Sequence, residues 1–288
     1  MSVHRWTLCI PAFLLMSSIL SAAPQNLRDV EYAQVGGVSL RFDASLPNEE
    51  KPSPAAIIVH GGAWVRGDKQ WNVEPLFEPL AKAGFAWFSI SYRLANDPLQ
   101  IGMAATDVEE AIRFVRSHAA EYHIDPDRIA LIGESAGGHL AALAALSNAP
   151  DTQVRAVVAM YSPTDLVSLA KTSELIPQGI RRQMNGTVFE KLILARLGEL
   201  SPIRSVREGM PPFLFIHGDS DIVVPIEQSK SMCEAMHSVG ATCSIITVPG
   251  AGHGMRRWEG IPTQARPYKK EMLEWLRQQL AERRVIAL

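Results

Sequence analysis

The 288-residue sequence has little that would commit it to redox, metal or membrane chemistry. It holds 3 Cys, too few for a disulfide-dense scaffold. It lacks both the Cys–His spacing of a zinc site and a glycine-rich dinucleotide fingerprint, so no cofactor and no metal are expected. Positive and negative side chains almost cancel, with a formal net charge of −2. A basic footprint for phosphate backbones is therefore missing, and nucleic acid is not an expected partner. Beyond the N-terminus no run approaches the roughly 20 apolar residues of a membrane span. Internal repeats and low-complexity tracts are absent too. The composition is 47% hydrophobic and 20% charged, that of an ordinary globular chain, and the length is ample for a sizeable core.

The first 23 residues read differently. His4 and Arg5 make a basic start, an apolar run extends from Trp6 to Leu20, and Ser21, Ala22 and Ala23 follow. This layout predicts a secretory signal peptide and a secreted or periplasmic protein, with residues 24–288 as one domain. Cys9 leaves with the signal. Cys233 and Cys243 remain, an even pair in a chain bound for an oxidising compartment, running from a predicted helix through Gly240 into a predicted strand. A disulfide between them is expected; the alternative is two small buried apolar residues.

Along the rest of the chain, Asp29–Val35 and Val38–Ala44 alternate about Gly36-Gly37, which predicts a hairpin. Continuous apolar runs at Ala55–His60, Phe85–Tyr92, Ile129–Gly133, Val154–Met160, Phe213–His217 and Cys243–Val248 suit strands buried on both faces. Helical patterns lie between them, around Val73–Ala83, Met103–Ala120, Ala136–Ser147 and Ile226–Val239, with a last one near Thr263–Arg283. The alternation implies an α/β fold, a mostly parallel, doubly wound sheet with an N-terminal hairpin. From Ser162 to Pro211 the rhythm stops and only short helical pieces are expected, which suggests a small helical cap insertion.

Gly133-Glu134-Ser135-Ala136-Gly137 fits G-x-S-x-G and falls between a predicted strand and a predicted helix, the context in which the pattern has mechanical meaning. Such a turn lifts a serine hydroxyl clear of the sheet edge. Serine becomes a nucleophile only when a base takes its proton, and that base needs an acid to orient it. Of the 8 His, His253 alone lies in a glycine-rich loop just past the last strand, with no structural reason to be there. His139, one turn past Ser135, is expected to pack or bond locally. The acid should follow an earlier strand. Asp219 and Asp221 compete; Asp219 suits an ordinary turn role, and Asp221, further out, is preferred as orienter. The order Ser135…Asp221…His253 differs from the chymotrypsin and subtilisin orders. Gly61-Gly62 follows a strand expected beside the nucleophile, where backbone N–H groups could meet a developing oxyanion. Trp64 is either a wall of the substrate pocket or core. Arg93 and Asp107 are expected to pair, fixing strand to helix, and Glu134 to bond nearby loop groups.

Together, His60–Trp64 with Gly67-Asp68-Lys69, Ser91–Leu94, Gly133–Gly138, His217–Pro225 and Gly250–Gly254 resemble the α/β-hydrolase superfamily. Within it the likeness is to BD-FAE and hormone-sensitive-lipase-like esterases, which include carbohydrate and feruloyl esterases. It extends from about Val30 to the C-terminal helix and is weak between Ser162 and Pro211. The resemblance implies Ser135 as nucleophile, Asp221 as acid and His253 as base. It also implies Gly62, Ala63 and Ala136 as oxyanion donors, with Ala63 standing where many relatives carry a third glycine. The expected activity is hydrolysis of a small-molecule or carbohydrate ester through an acyl-enzyme. Cleavage of an amide-type acyl bond, as by kynurenine-formamidase-like relatives, is the nearer alternative. A non-catalytic binding protein on the same scaffold is the more distant one.

Overall fold

The computed structural model describes residues 24–95, 100–147, 149–172, 186–259 and 267–282. The predicted signal segment 1–23, the pair Arg181-Arg182 and part of the Ser162–Pro211 insertion lie outside the described residues.

Strands β1 (Gln25–Val35) and β2 (Val38–Leu46) form the hairpin expected about Gly36-Gly37, both at positive φ. After them come β3 (Ser53–Val59), β4 (Ala86–Ile90), β5 (Ile124–Glu134), β6 (Ala156–Met160), β7 (Phe213–Gly218) and β8 (Cys243–Val248). They assemble one 8-stranded sheet in the order β1-β2-β4-β3-β5-β6-β7-β8. Antiparallel pairing is confined to β1–β2 and β2–β4; the other neighbours run parallel. The helices are α1 (Phe77–Lys82), α2 (Ile101–Ser117), α3 (Ala136–Ala145), α4 (Leu166–Thr172), α5 (Val188–Glu199), α6 (Glu227–Ser238), α7 (Met255–Glu259) and α8 (Tyr268–Gln279).

The apolar runs are apolar because both faces of the central strands are covered. Ala55, Ile57 and Val59 of β3 point to one face and share a core with α2 and α3. Ala56 and Ile58 point to the other, with Leu80 of α1 and Met272 and Leu276 of α8. Each fully buried aliphatic side chain of this kind contributes roughly 1.5–3 kcal/mol. Because residues alternate across the sheet, one strand serves both cores. The pattern expected around Val73–Ala83 divides into a 3-10 turn at Glu74–Leu76 and the short α1, since prolines at 75 and 79 interrupt helical hydrogen bonding.

Between β6 and β7 the described residues hold α4, α5 and a 3-10 turn, Pro202–Ser205, and no strand. This segment is tied down rather than loose. Leu166 N–H donates to Ser201 Oγ (2.9 Å) and Ile203 N–H to the Thr164 carbonyl (3.1 Å). Gln228 of α6 accepts from the backbone N–H groups of Thr164 and Asp165. Cys233 of α6 and Cys243 at the start of β8 lie at disulfide distance, with Cα atoms 5.3 Å apart. A bridge there closes a ten-residue separation, which constrains the unfolded chain by about 2–3 kcal/mol.

The expected Arg93–Asp107 pair is present and two-pronged. Arg93 Nη2 reaches Asp107 Oδ1 at 2.7 Å and Nε reaches Oδ2 at 2.9 Å, and the Arg93 backbone N–H adds 2.8 Å to Oδ2. Asp107 has no exposed surface, so losing Arg93 strands a buried charge. Arg93→Met should lower unfolding stability by about 3 kcal/mol, more than Asp107→Asn does. Urea titrations of the two variants check the order; an Arg93→Met protein as stable as the parent would disprove the assignment.

Candidate active site

The site is built where β5 ends. Residues 129–134 and 136–142 are buried, and Ser135 between them is half-exposed. Its backbone takes φ +52°, ψ −120°, a conformation costing about 1–3 kcal/mol for a residue with a Cβ. Close approach explains the flanking glycines. A Cβ at Gly133 would stand 2.3 Å from the Gly137 carbonyl oxygen, and one at Gly137 would stand 2.1 Å from that of Val59. The turn is held by Ser135 N–H donating to the Met160 carbonyl of β6 at 2.9 Å.

Ser135, His253 and Asp221, 118 residues apart at their widest, meet in one hydrogen-bonded line. Ser135 Oγ donates to His253 Nε2 (2.9 Å), and His253 Nδ1–H donates to Asp221 Oδ2 (2.7 Å). The tautomer follows from the partners, since the carboxylate can only accept. Asp221 Oδ1 accepts from the backbone N–H groups of Val223 and Val224, both at 2.9 Å. Burial works to raise its pKa. The neighbouring His217, the hydrogen bond from His253 and its charge, and the Val224 N–H outweigh that and hold the carboxyl well below the usual carboxylate range. Asp219 does what a turn residue should: its Oδ1 accepts from Gly250 N–H (2.6 Å), fixing the base of the His253 loop.

Gly62, Ala63 and Trp64 are consecutive left-handed residues, at φ +113°, +52° and +65°. A run of this kind turns successive N–H groups to one side. Among the described residues, the N–H groups of Gly62, Ala63 and Ala136 donate to no protein acceptor. Such donors can receive a negative oxygen forming beside Ser135 Oγ. Trp64 is half-buried against the core, and its indole N–H donates to His139 Nδ1 at 3.1 Å.

Sequence reasoning missed several supports. His139 does not bond locally: its Nε2–H donates to the Leu200 carbonyl (2.7 Å), linking α3 to the insertion. His217 flanks the acid on its far side, 3.6 Å from Asp221 Oδ2, oriented by Ser229 Oγ (2.7 Å) and the Val224 carbonyl (2.8 Å). Tyr161, just past β6, packs edge-on against the His253 ring at 4.9 Å. Only their positions at strand ends or beside the motif could have flagged them.

The sequence model of the BD-FAE family matches residues 42–236. The chain is 35% identical to Esterase LipC of Mycobacterium tuberculosis over 74% of its own length and 56% of that protein. It spans about half the length of the curated relatives it matches. Among solved structures, the thermophilic esterase Est2 of Thermogutta terrifontis superposes with a TM-score of 0.70 at 26% identity, covering 88% of this chain and 92% of the other. Est2 is also solved with propionate and with butyrate bound. A truncated carbohydrate esterase from gut microbiota gives 0.70 at 29% identity, covering 91% and 99%.

Two histidines beside the site should make the fold acid-sensitive. Burial pushes His60 and His139 down to about 4; hydrogen bonds to the carbonyls of Gly61 and Leu200 oppose it incompletely. In the unfolded chain each takes its proton near the ordinary value of about 6.5. The unfolded state therefore binds more protons as pH falls from about 6.5 towards 4, and stability is lost through that window. Asp221, held low, adds its own loss only below the ordinary carboxylate range. Urea unfolding at pH 7.5, 6, 5 and 4.5 should show a decline of a few kcal/mol in total; equal stability at pH 7.5 and 5 would contradict it.

Proposed function

Since the chain belongs to the BD-FAE family, with an α/β-hydrolase fold, we propose that it is a serine carboxylic-ester hydrolase. The observation that carries this reading is the hydrogen-bonded line Ser135–His253–Asp221 at a strained turn, beside three unengaged N–H groups. Ser135 Oγ attacks the ester carbonyl while His253 Nε2 takes its proton. Asp221 stabilises the imidazolium that results, and the N–H groups of Gly62, Ala63 and Ala136 receive the oxyanion. Each such donor is typically worth about 3–4 kcal/mol in the transition state. His253 hands its proton to the departing alcohol, then activates a water that releases the acid from the acyl-enzyme.

On the same reading the substrates are short-acyl, sugar or feruloyl esters. Support comes from the names of the structural neighbours, a carbohydrate esterase and an esterase solved with propionate and butyrate. The Ala63 methyl, where many relatives have glycine, narrows the oxyanion side and disfavours bulky alcohols. Substrate choice lies with the insertion between β6 and β7. Residues 1–23 are an export signal, and the enzyme acts outside the cytoplasm.

A panel of nitrophenyl esters of increasing acyl length, with acetylated xylan and methyl ferulate beside it, tests both levels. Acetyl to butyryl esters should be turned over, and Ser135→Ala should lower kcat by about ten-thousand-fold with the fold intact. Equal turnover by parent and Ser135→Ala would sink the assignment.

A further inference from the structure

Glu134, the residue immediately before the nucleophile, is nearly fully buried, and it has no part in the mechanism above. Its carboxylate accepts from Gly61 N–H, which reaches Oε1 at 2.7 Å. Burial pushes the carboxyl's pKa up, and the Gly61 N–H and the neighbouring Tyr161 hydroxyl and Asn72 side chain oppose that rise. Gly61 opens the oxyanion loop, and the contact is so close that a Cβ there would stand 2.3 Å from Oε1. Tyr161 continues the connection: its hydroxyl oxygen accepts from Met255 N–H (3.1 Å), two residues past His253. Both Tyr161 and Asn72 hold left-handed backbone, at φ +38° and +63°.

We propose that Glu134 is a positioning residue that locks the oxyanion loop and the histidine loop in register about Ser135. This rests on the ester-hydrolase reading of Ser135 and deepens it. The groups against His253 are Asp221 from the β7 loop, with His217 behind it, and Tyr161 after β6. Tyr92 and His60, stacked at 4.3 Å, line the far side of the Gly61 contact. Asp221 orients the ring directly. Glu134 acts through the loops.

Variants assayed on a short nitrophenyl ester test this. Glu134→Ala removes the acceptor for Gly61 N–H; kcat should fall ten- to hundred-fold with KM within two-fold. Glu134→Gln keeps an acceptor oxygen of the same size and should recover most of that loss, which a cavity-filling role alone would not require. Tyr161→Phe keeps the ring but cuts the link to Met255 and should lower kcat at least five-fold. A Glu134→Ala enzyme with parental kcat overturns the proposal. Should Glu134→Ala fail to fold, Tyr161→Phe decides, and a parental kcat in that variant overturns the clamp. Ser135→Ala in the same assay keeps the outcomes apart. If it is inactive while Glu134→Ala and Tyr161→Phe are parental, only the role of Glu134 fails; if it is active, the esterase reading itself fails.

Discussion

The pressing of the Ser135 turn against β3 is the contact on which the rest of the site depends. Gly137 lies so near the Val59 and His60 carbonyls that any side chain there would collide with backbone. Backbone cannot yield as a flexible side chain can. The start of α3 therefore meets the end of β3, and with it the loop that continues through Gly61 to Trp64. Three consequences follow from one approach: Ser135 is forced into its left-handed turn, its hydroxyl rises above the buried strand, and the free N–H groups of two segments share one sheet edge. Strain at Ser135 persists because parallel strands on both sides determine where β5 must end.

Around this contact the protein has buried a group of polar side chains. His60, Glu134, His139, His217 and Asp221 are each under one-tenth exposed, and each makes at least one hydrogen bond to the protein. In a low-dielectric interior an unmet donor or acceptor costs as much as a good bond contributes, so such a network fixes one arrangement by excluding the others. It is also directional. Trp64 to His139 to Leu200 ties the Gly61–Trp64 loop to the insertion, and Asp219 to Gly250 ties the Asp221 turn to the His253 loop. The Ser135–His253–Asp221 line is thus held by groups outside it.

Much of this is legible in the order of residues. Apolar runs without alternation announce strands covered on both faces, and Gly36-Gly37 announces the hairpin, because local backbone chemistry leaves few alternatives. Ser135, Asp221 and His253 can be picked out because each sits in a loop directly after a predicted strand, where a parallel sheet brings carboxyl ends together. The supports are not legible. Nothing near Tyr161 in the chain marks its hydroxyl as the acceptor for Met255 N–H, and nothing beside His139 marks Leu200 as its acceptor. Those pairings depend on which strands become neighbours, and the periodicity of each strand is silent about its neighbours.

Sequence by itself therefore determined the alternation of strand and helix, the tight glycine turns and the residue types able to carry acyl transfer, since these depend on propensities and spacings within about ten residues. Tertiary structure alone decided how the insertion is anchored. It alone set the Glu134 carboxylate against the Gly61 backbone. Those are matters of distance across the sheet, and distance across the sheet is fixed only when both cores close around it.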